Sequence, residues 1–214
     1  MMPKNKMKIL AIGAHPDDLE YGCGGTLCKM SKAGHEINLL VMTKGQMGGN
    51  EKLREREQEK AAKILKAKLF WGNFIDTQVP LEKNTINTIE VIIKKIKPDL
   101  IFALYNNDTH QDHRTVSQAT ITATRYIRNV LFYEVPSTIN FAPASVLVDI
   151  GPVLKQKMDL LKSHRSQVFC TRVADLSILE SVSATALFRG FQNRVKYAEG
   201  FVPLRLTLDY LNEF

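Results

Sequence analysis

The sequence predicts an α/β domain built on a mainly parallel, doubly wound sheet. Two observations predict it. Short continuous apolar runs of strand length alternate with segments whose apolar residues recur every three or four positions, and this alternation persists through most of the 214 residues. That length suits one domain, residues 1–214, because domains usually run about 100 to 200 residues.

Residues 8 to 14, Lys-Ile-Leu-Ala-Ile-Gly-Ala, stop at His-Pro and read as a strand buried on both faces. Gly24 to Ala33 carries Leu27 and Met30 at helical spacing, and Gly34 is placed to end that helix before a second apolar run, Ile37 to Met42. A Gly-rich loop, Thr43 to Asn50, precedes a charged helix over Glu51 to Lys66, with Leu53, Ala61, Ile64 and Leu65 mostly on one face. Leu69 to Trp71 is a short strand. Ile86, Ile89, Ile92, Ile93 and Ile96 form a helical stripe that Pro98 terminates, and Asp99 to Tyr105 is the fourth buried strand. Thr115 to Arg128 reads as a helix, Val130 to Val135 and Val146 to Ile150 as strands. Gly151-Pro152 opens a helix with Leu154, Met158 and Leu161 turned inward.

Composition narrows the function classes. Hydrophobic residues at 44% and charged residues at 24% match a globular chain and exclude a disordered or fibrous one. The longest stretch without Asp, Glu, Lys or Arg, Val135 to Val148, is broken by Pro136 and Pro143 and falls short of the roughly 20 apolar residues that span a bilayer. The basic opening, Met1 to Lys8, leads into a strand with no small-residue cleavage site, so a cytoplasmic location is expected. Cys23, Cys28 and Cys170 are too few and too irregular for a disulfide framework and read as packing residues. The net charge of +7 reflects lysines spread singly or in short groups such as Lys94, Lys95 and Lys97; no basic stripe interleaved with aromatics is present, and no nucleic-acid partner is expected.

The chemistry collects in two places. Of five histidines, three fall in two polar segments that each follow a predicted buried strand: Ala14-His15-Pro16-Asp17-Asp18, and Asn107 to His113 with His110, Asp112 and His113. A doubly wound sheet of order 3-2-1-4 makes strands one and four neighbours where the winding reverses, and ligands bind at their carboxyl ends. The two segments are therefore expected to meet. Two imidazoles and one carboxylate form a common ligand set for a divalent metal that keeps an open position. His15 and Asp18, three apart, can aim at one point. Asp17 then stands beside them as a general base, because a metal lowers the pKa of water toward about 7 and a free carboxylate can take the proton. Either His110 or His113 completes the set. Taken singly, Asp-Asp is more often a turn or helix cap and a loop histidine is more often solvated; it is the pairing of the two segments that carries the expectation. Gly22, Gly24 and Gly25 lack the spacing of a dinucleotide fingerprint and read instead as sites of close helix packing.

These residues resemble a known family. Ala14-His15-Pro16-Asp17-Asp18 with Gly24-Gly25 downstream, together with His110-x-Asp112-His113, resembles the zinc-dependent N-deacetylases of the PIG-L/LmbE-like family, which includes enzymes of bacillithiol and mycothiol synthesis. Further matches are Thr43-x-Gly45, Arg54-x-x-Glu57, His164-x-Ser166-Gln167 and Tyr197-Ala198-Glu199-Gly200-Phe201. The resemblance implies a Rossmann-like three-layer sandwich and hydrolysis of the N-acetyl group of an N-acetylglucosamine-type sugar or its conjugate. It implies that His15, Asp18 and His113 hold Zn2+, with Fe2+ the other divalent candidate. It makes Asp17 the base, a protonated His110 the oxyanion stabiliser and Asp112 the orienter of a histidine. Arg54, Gln46 and His164 would contact substrate, and Glu199 would be a buried anchor. Gln46 stands where the family often carries Glu, and relatives often form homo-oligomers.

Two rival readings use the same residues. A non-haem Fe(II) oxygenase also uses two histidines and one carboxylate, but has no need of Asp17 beside them. A noncatalytic phosphate- or nucleotide-binding module would draw on the basic surface and has no need of the His/Asp set.

Overall fold

The computed structural model describes residues 6–207; of the basic opening, residues 1–5 lie outside it. The chain runs β1 (Lys8–Gly13), α1 (Asp18–Gly22), α2 (Gly24–Lys32), β2 (Glu36–Thr43), α3 (Glu51–Leu65), β3 (Lys68–Phe74), α4 (Lys83–Ile96) and β4 (Leu100–Leu104). It continues through α5 (Gln111–Ala123), β5 (Val130–Tyr133), β6 (Val146–Asp149), a 3-10 turn, α6 (Leu154–Leu161), α7 (Ile178–Gln192) and β7 (Ala198–Arg205).

The strands form one seven-stranded sheet in the order β3-β2-β1-β4-β5-β7-β6. The first five are parallel, and β7 runs antiparallel to both β5 and β6. As expected, β1 and β4 are neighbours, with Ile9 to Ile12 opposite Leu100 to Ala103. β1, β2 and β4 are buried on both faces almost throughout, which is why they read as unbroken apolar runs rather than alternating ones.

Four elements differ from the sequence expectation, the first being the short helix α1 immediately after His15-Pro16-Asp17. Helix α5 starts at Gln111 rather than Thr115, because the His110 side chain accepts the Asp112 amide at 3.2 Å and caps the helix. Asp112 and His113 therefore sit on its first turn and not in a loop. Helix α7 and strand β7 were not expected. In α7 the apolar residues spread around the axis, and Leu187, Phe188 and Phe191 face solvent. In β7 the buried Glu199 and Gly200 and the half-buried Pro203 interrupt any apolar run.

The glycines after α1 do permit close packing. A Cβ at Gly22 would stand 2.0 Å from Cδ2 of the Tyr133 ring, and one at Gly25 would stand 2.8 Å from Cγ2 of Ile150. Glu199 accepts from Gly25 N at 2.8 Å, Thr26 N at 2.7 Å and Thr26 Oγ1 at 2.6 Å, and it pairs with the buried Lys157. A carboxylate from β7 thus caps the start of α2, where free amides and the helix dipole favour negative charge. Among the described residues no helix is long and apolar enough to cross a membrane.

Candidate metal centre

Chain reversal after β1 places the first segment. Asp17 occupies the N-cap position of α1 with φ 95°, and its side chain makes no capping hydrogen bond. A non-glycine residue held there without local reward points to a function for its carboxylate. Asp18 does the local work: its Oδ2 accepts from Ala14 N at 2.9 Å and His15 N at 2.8 Å. β4 delivers the second segment alongside, and Asp108 Oδ1 accepts the His110 amide at 2.8 Å to set the turn into α5.

Three side chains converge from the two segments. His15 Nδ1 lies 3.1 Å from His113 Nε2, His113 Nε2 lies 3.4 Å from Asp18 Oδ1, and His15 Nδ1 lies 3.7 Å from Asp18 Oδ2. Bonds of the length zinc makes to nitrogen and oxygen in a tetrahedral site put neighbouring donors about 3.4 Å apart. All three side chains are buried. The outer ring nitrogens are occupied: His15 Nε2 faces Asp76 at 2.9 Å and Asp112 at 3.2 Å, and His113 Nδ1 faces Asp108 and Ser137 Oγ, each at 3.2 Å. Carboxylates on the outer nitrogens fix the tautomer that turns both inner nitrogens toward a shared point, which is how metal-ligating histidines are held. The donor set fits a divalent metal.

His110 lies against both histidines, with ring centroids 4.6 Å from His15 and 4.7 Å from His113. Because its Nδ1 accepts the Asp112 amide, the proton of the neutral ring resides on Nε2. Burial, then the neighbouring His15 and His113, hold its pKa below the ordinary value. The geometry thus gives a neutral Nε2–H donor, where the family resemblance implies an imidazolium.

Electrostatics separate the two aspartates. Burial pushes the Asp17 carboxyl up to about 6, against the pull of the Arg54 guanidinium. Burial acts on Asp18 in the same direction, but the charge and hydrogen bond of His113, followed by the charge of His15, hold it well below the usual carboxylate range. Asp76 is lowered to about 2, its burial outweighed by the hydrogen bond and charge of His15.

The cleft at this centre has a volume of about 390 Å3, and its lining includes His15, Asp17, Asp18, Arg54, Asp76 and His110. Arg54 is buried and donates to Gly45 O at 2.7 Å and Pro16 O at 2.9 Å, with Asp17 Oδ2 at 3.5 Å. Gln46 and His164 do not line the cleft. His164 is buried beneath it, Nε2 3.3 Å from Glu20 Oε2, and does not reach the rim. Glu199 is likewise away from the donors, at the start of α2. Gln167, which ends the His164-x-Ser166-Gln167 match, lines the cleft although the resemblance gave it no role, and Asp76, Asp108 and Arg172 were not among the expected site residues. Only Asp108, in the same polar segment as His110, carried a local signal.

The family model described as "PIG-L: GlcNAc-PI de-N-acetylase" matches residues 10–124, which contain the whole donor set. An uncharacterized deacetylase of Escherichia coli, YaiS, is 40% identical over 76% of this chain and 93% of its own. The diacetylchitobiose deacetylase of Thermococcus kodakarensis is 30% identical over 92% of this chain and 83% of its own. The crystal structure of the N,N'-diacetylchitobiose deacetylase of Pyrococcus horikoshii, complexed with an inhibitor, superposes with a TM-score of 0.80 at 26% identity, covering 96% of this chain and 89% of that one.

Proposed function

This chain belongs to the PIG-L family, and on that premise we propose that it is a zinc-dependent N-deacetylase that removes the acetyl group from an N-acetylglucosamine-type sugar or its conjugate. The observation that carries the proposal is the convergence of His15 Nδ1, His113 Nε2 and the Asp18 carboxylate beside a second carboxylate, Asp17, that is not part of the donor set. His15, Asp18 and His113 would hold the zinc, and Asp76, Asp112 and Asp108 would orient the two imidazoles.

When bound, zinc acidifies water and polarises a carbonyl. The protein's own groups handle the protons and the charge. Asp17 accepts a proton from the attacking water at its carboxylate, which Arg54 holds from 3.5 Å. A carboxyl pushed to about 6 is matched to taking a proton near neutral pH and giving it back to the leaving amine. His110 donates Nε2–H to the oxygen on which negative charge develops; a positioned donor of this kind contributes about 3 to 4 kcal/mol. Arg54 also ties Gly45 to Pro16, so the two loops on either side of the base stay in register.

The test is acetate release from N-acetylglucosamine conjugates by the purified protein, stripped of metal and then reloaded with Zn2+ or Fe2+. Metal-dependent release of acetate with an equal amount of free amine is expected. Absence of both products across the panel would sink the proposal.

A further inference from the structure

Arg54, Glu57 and Gln58 are spaced three and four apart, so they share one face of α3, and all three are buried. Glu57 accepts from the amide and hydroxyl of Ser166 at 2.8 and 2.6 Å and so fixes the segment that carries His164. The other two, one helical turn apart, grip a single peptide group. Arg54 Nη2 donates to Pro16 O at 2.9 Å, and Gln58 Oε1 accepts from Asp17 N at 3.3 Å; that carbonyl and that amide belong to the peptide joining Pro16 to Asp17. The next peptide is held within α1, where Asp17 O accepts from Tyr21 N at 2.9 Å. Rotation about the Asp17 N–Cα bond is therefore fixed from both sides, at a φ of 95°.

A flip of the first peptide would return Asp17 to the negative φ that a non-glycine residue prefers. It would also turn an N–H toward the Arg54 guanidinium and a carbonyl toward Gln58 Oε1, donor against donor and acceptor against acceptor. A glutamine by itself is a poor lock, because its amide can turn over and offer Nε2 instead. Glu20 removes that freedom: its Oε1 accepts from Gln58 Nε2 at 2.8 Å, and a carboxylate has no proton to offer the other end of the amide. Both side chains are fully buried, where a polar group without a partner is costly, and Glu20 Oε2 in turn lies 3.3 Å from His164 Nε2.

We propose that Gln58, its sense fixed by Glu20, is a positioning residue for the base: with Arg54 it holds the Asp17 turn against a peptide flip and so keeps the Asp17 carboxylate at the cleft. As a statement about catalysis this rests on the deacetylase reading; as a statement about the turn it does not.

The test pairs steady-state kinetics with hydrogen exchange of the Asp17 amide, followed by NMR in metal-free protein without substrate. In Gln58→Met that amide is expected to lose protection by about tenfold or more, the share of one hydrogen bond, beyond any loss at the β1 amides of Leu10 and Ile12. Acetate release should lose about ten- to a hundredfold in kcat, as for a misplaced reacting group, while KM and metal affinity hold. Glu20→Gln, which removes only the lock on the amide's sense, should lose less in both readouts. Adding Gln58→Glu to it places acceptors at both ends of side chain 58 and a donor at position 20, and should restore both. If Gln58→Met does not fold, this pair of variants decides. Unchanged Asp17 protection, a kcat loss matched by an equal loss of metal affinity, or no recovery in the double variant overturns the inference. Release at full kcat by Gln58→Met overturns it while the deacetylase reading stands. Gln58-dependent protection in a protein that never releases acetate upholds the clamp and sinks the deacetylase reading.

Discussion

Asp17 and Asp18 are adjacent in the chain and are driven in opposite directions by the fold: the first carboxyl rises to about 6, while the second is held well below the carboxylate range. Burial acts on both in the same sense. The difference is that Asp18 accepts two backbone amides and faces His113 and His15, whereas Asp17, at φ 95°, has Arg54 as its ion-pair partner at 3.5 Å. One is suited to remain a ligand and the other to exchange a proton.

Asp17→Asn is expected to keep a full complement of metal and to lose acetate release by roughly a hundredfold to ten-thousandfold. Metal analysis beside a turnover assay separates the two effects, and full turnover in this variant removes the base assignment. In the unaltered protein, activity should fall as pH drops through about 6, because protonated Asp17 cannot accept a proton. A rate profile that stays level across that range contradicts the assignment.

Asp18→Ala is expected to abolish metal binding. With metal removed from both proteins, it should also lower unfolding stability at neutral pH by about 1 to 3 kcal/mol, since Ala14 N and His15 N lose their buried acceptor. The folded-state pKa of Asp18 is depressed, so its contribution is present above the unfolded value of about 3.9 and is lost as pH falls through the folded one. The stability gap between the two proteins should narrow below about pH 4. Denaturant melts at neutral and acid pH check it.

Metal loading of stripped protein at neutral pH should release close to one proton. Both imidazoles have raised pKa values: burial lowers them, and the surrounding carboxylates more than reverse it. Their inner nitrogens are 3.1 Å apart, however, which leaves room for one proton between them. The metal must displace that proton. Calorimetry in buffers of different ionisation enthalpy counts it, and zero protons released would mean that His15 and His113 do not face the bound ion.

Asp76→Asn should weaken metal binding about 10- to 100-fold while leaving the fold intact. The amide oxygen can still accept Met47 N, now 2.9 Å from the carboxylate, but the charge opposite His15 Nε2 is gone. Chelator competition measures the change; unaltered affinity would show that Asp112 alone orients the ring.

Glu199→Ala should cost about 3 to 5 kcal/mol of stability, because it leaves Lys157 charged and buried and strips the cap from α2. The double variant Lys157→Met with Glu199→Gln keeps an acceptor for Gly25 or Thr26 and should recover most of the loss. Urea midpoints compare the three proteins.

The apolar runs of β1, β2 and β4 and the isoleucine stripe of α4 made the sheet order around the site legible, because burial on both faces or on one helical face leaves a periodic trace. His15, Asp17, Asp18, His110 and His113 were legible as candidates for the same reason: they follow β1 and β4, which a doubly wound order makes neighbours. Asp76 was not legible. It follows β3, two strands from β1, and its approach to His15 depends on the path of a turn that ordinary polar residues also make. Arg172 and Gln167 reach the cleft through hydrogen bonds to Glu57 and Gly48, more than a hundred residues earlier. Local periodicity records which face of an element is buried, so the sequence determined the layered sheet and the two segments at its switch point. Contacts between side chains distant in the chain leave no such record. Only the tertiary structure decided which carboxylates face the outer nitrogens of the imidazoles and that Arg54 is spent on its own loops.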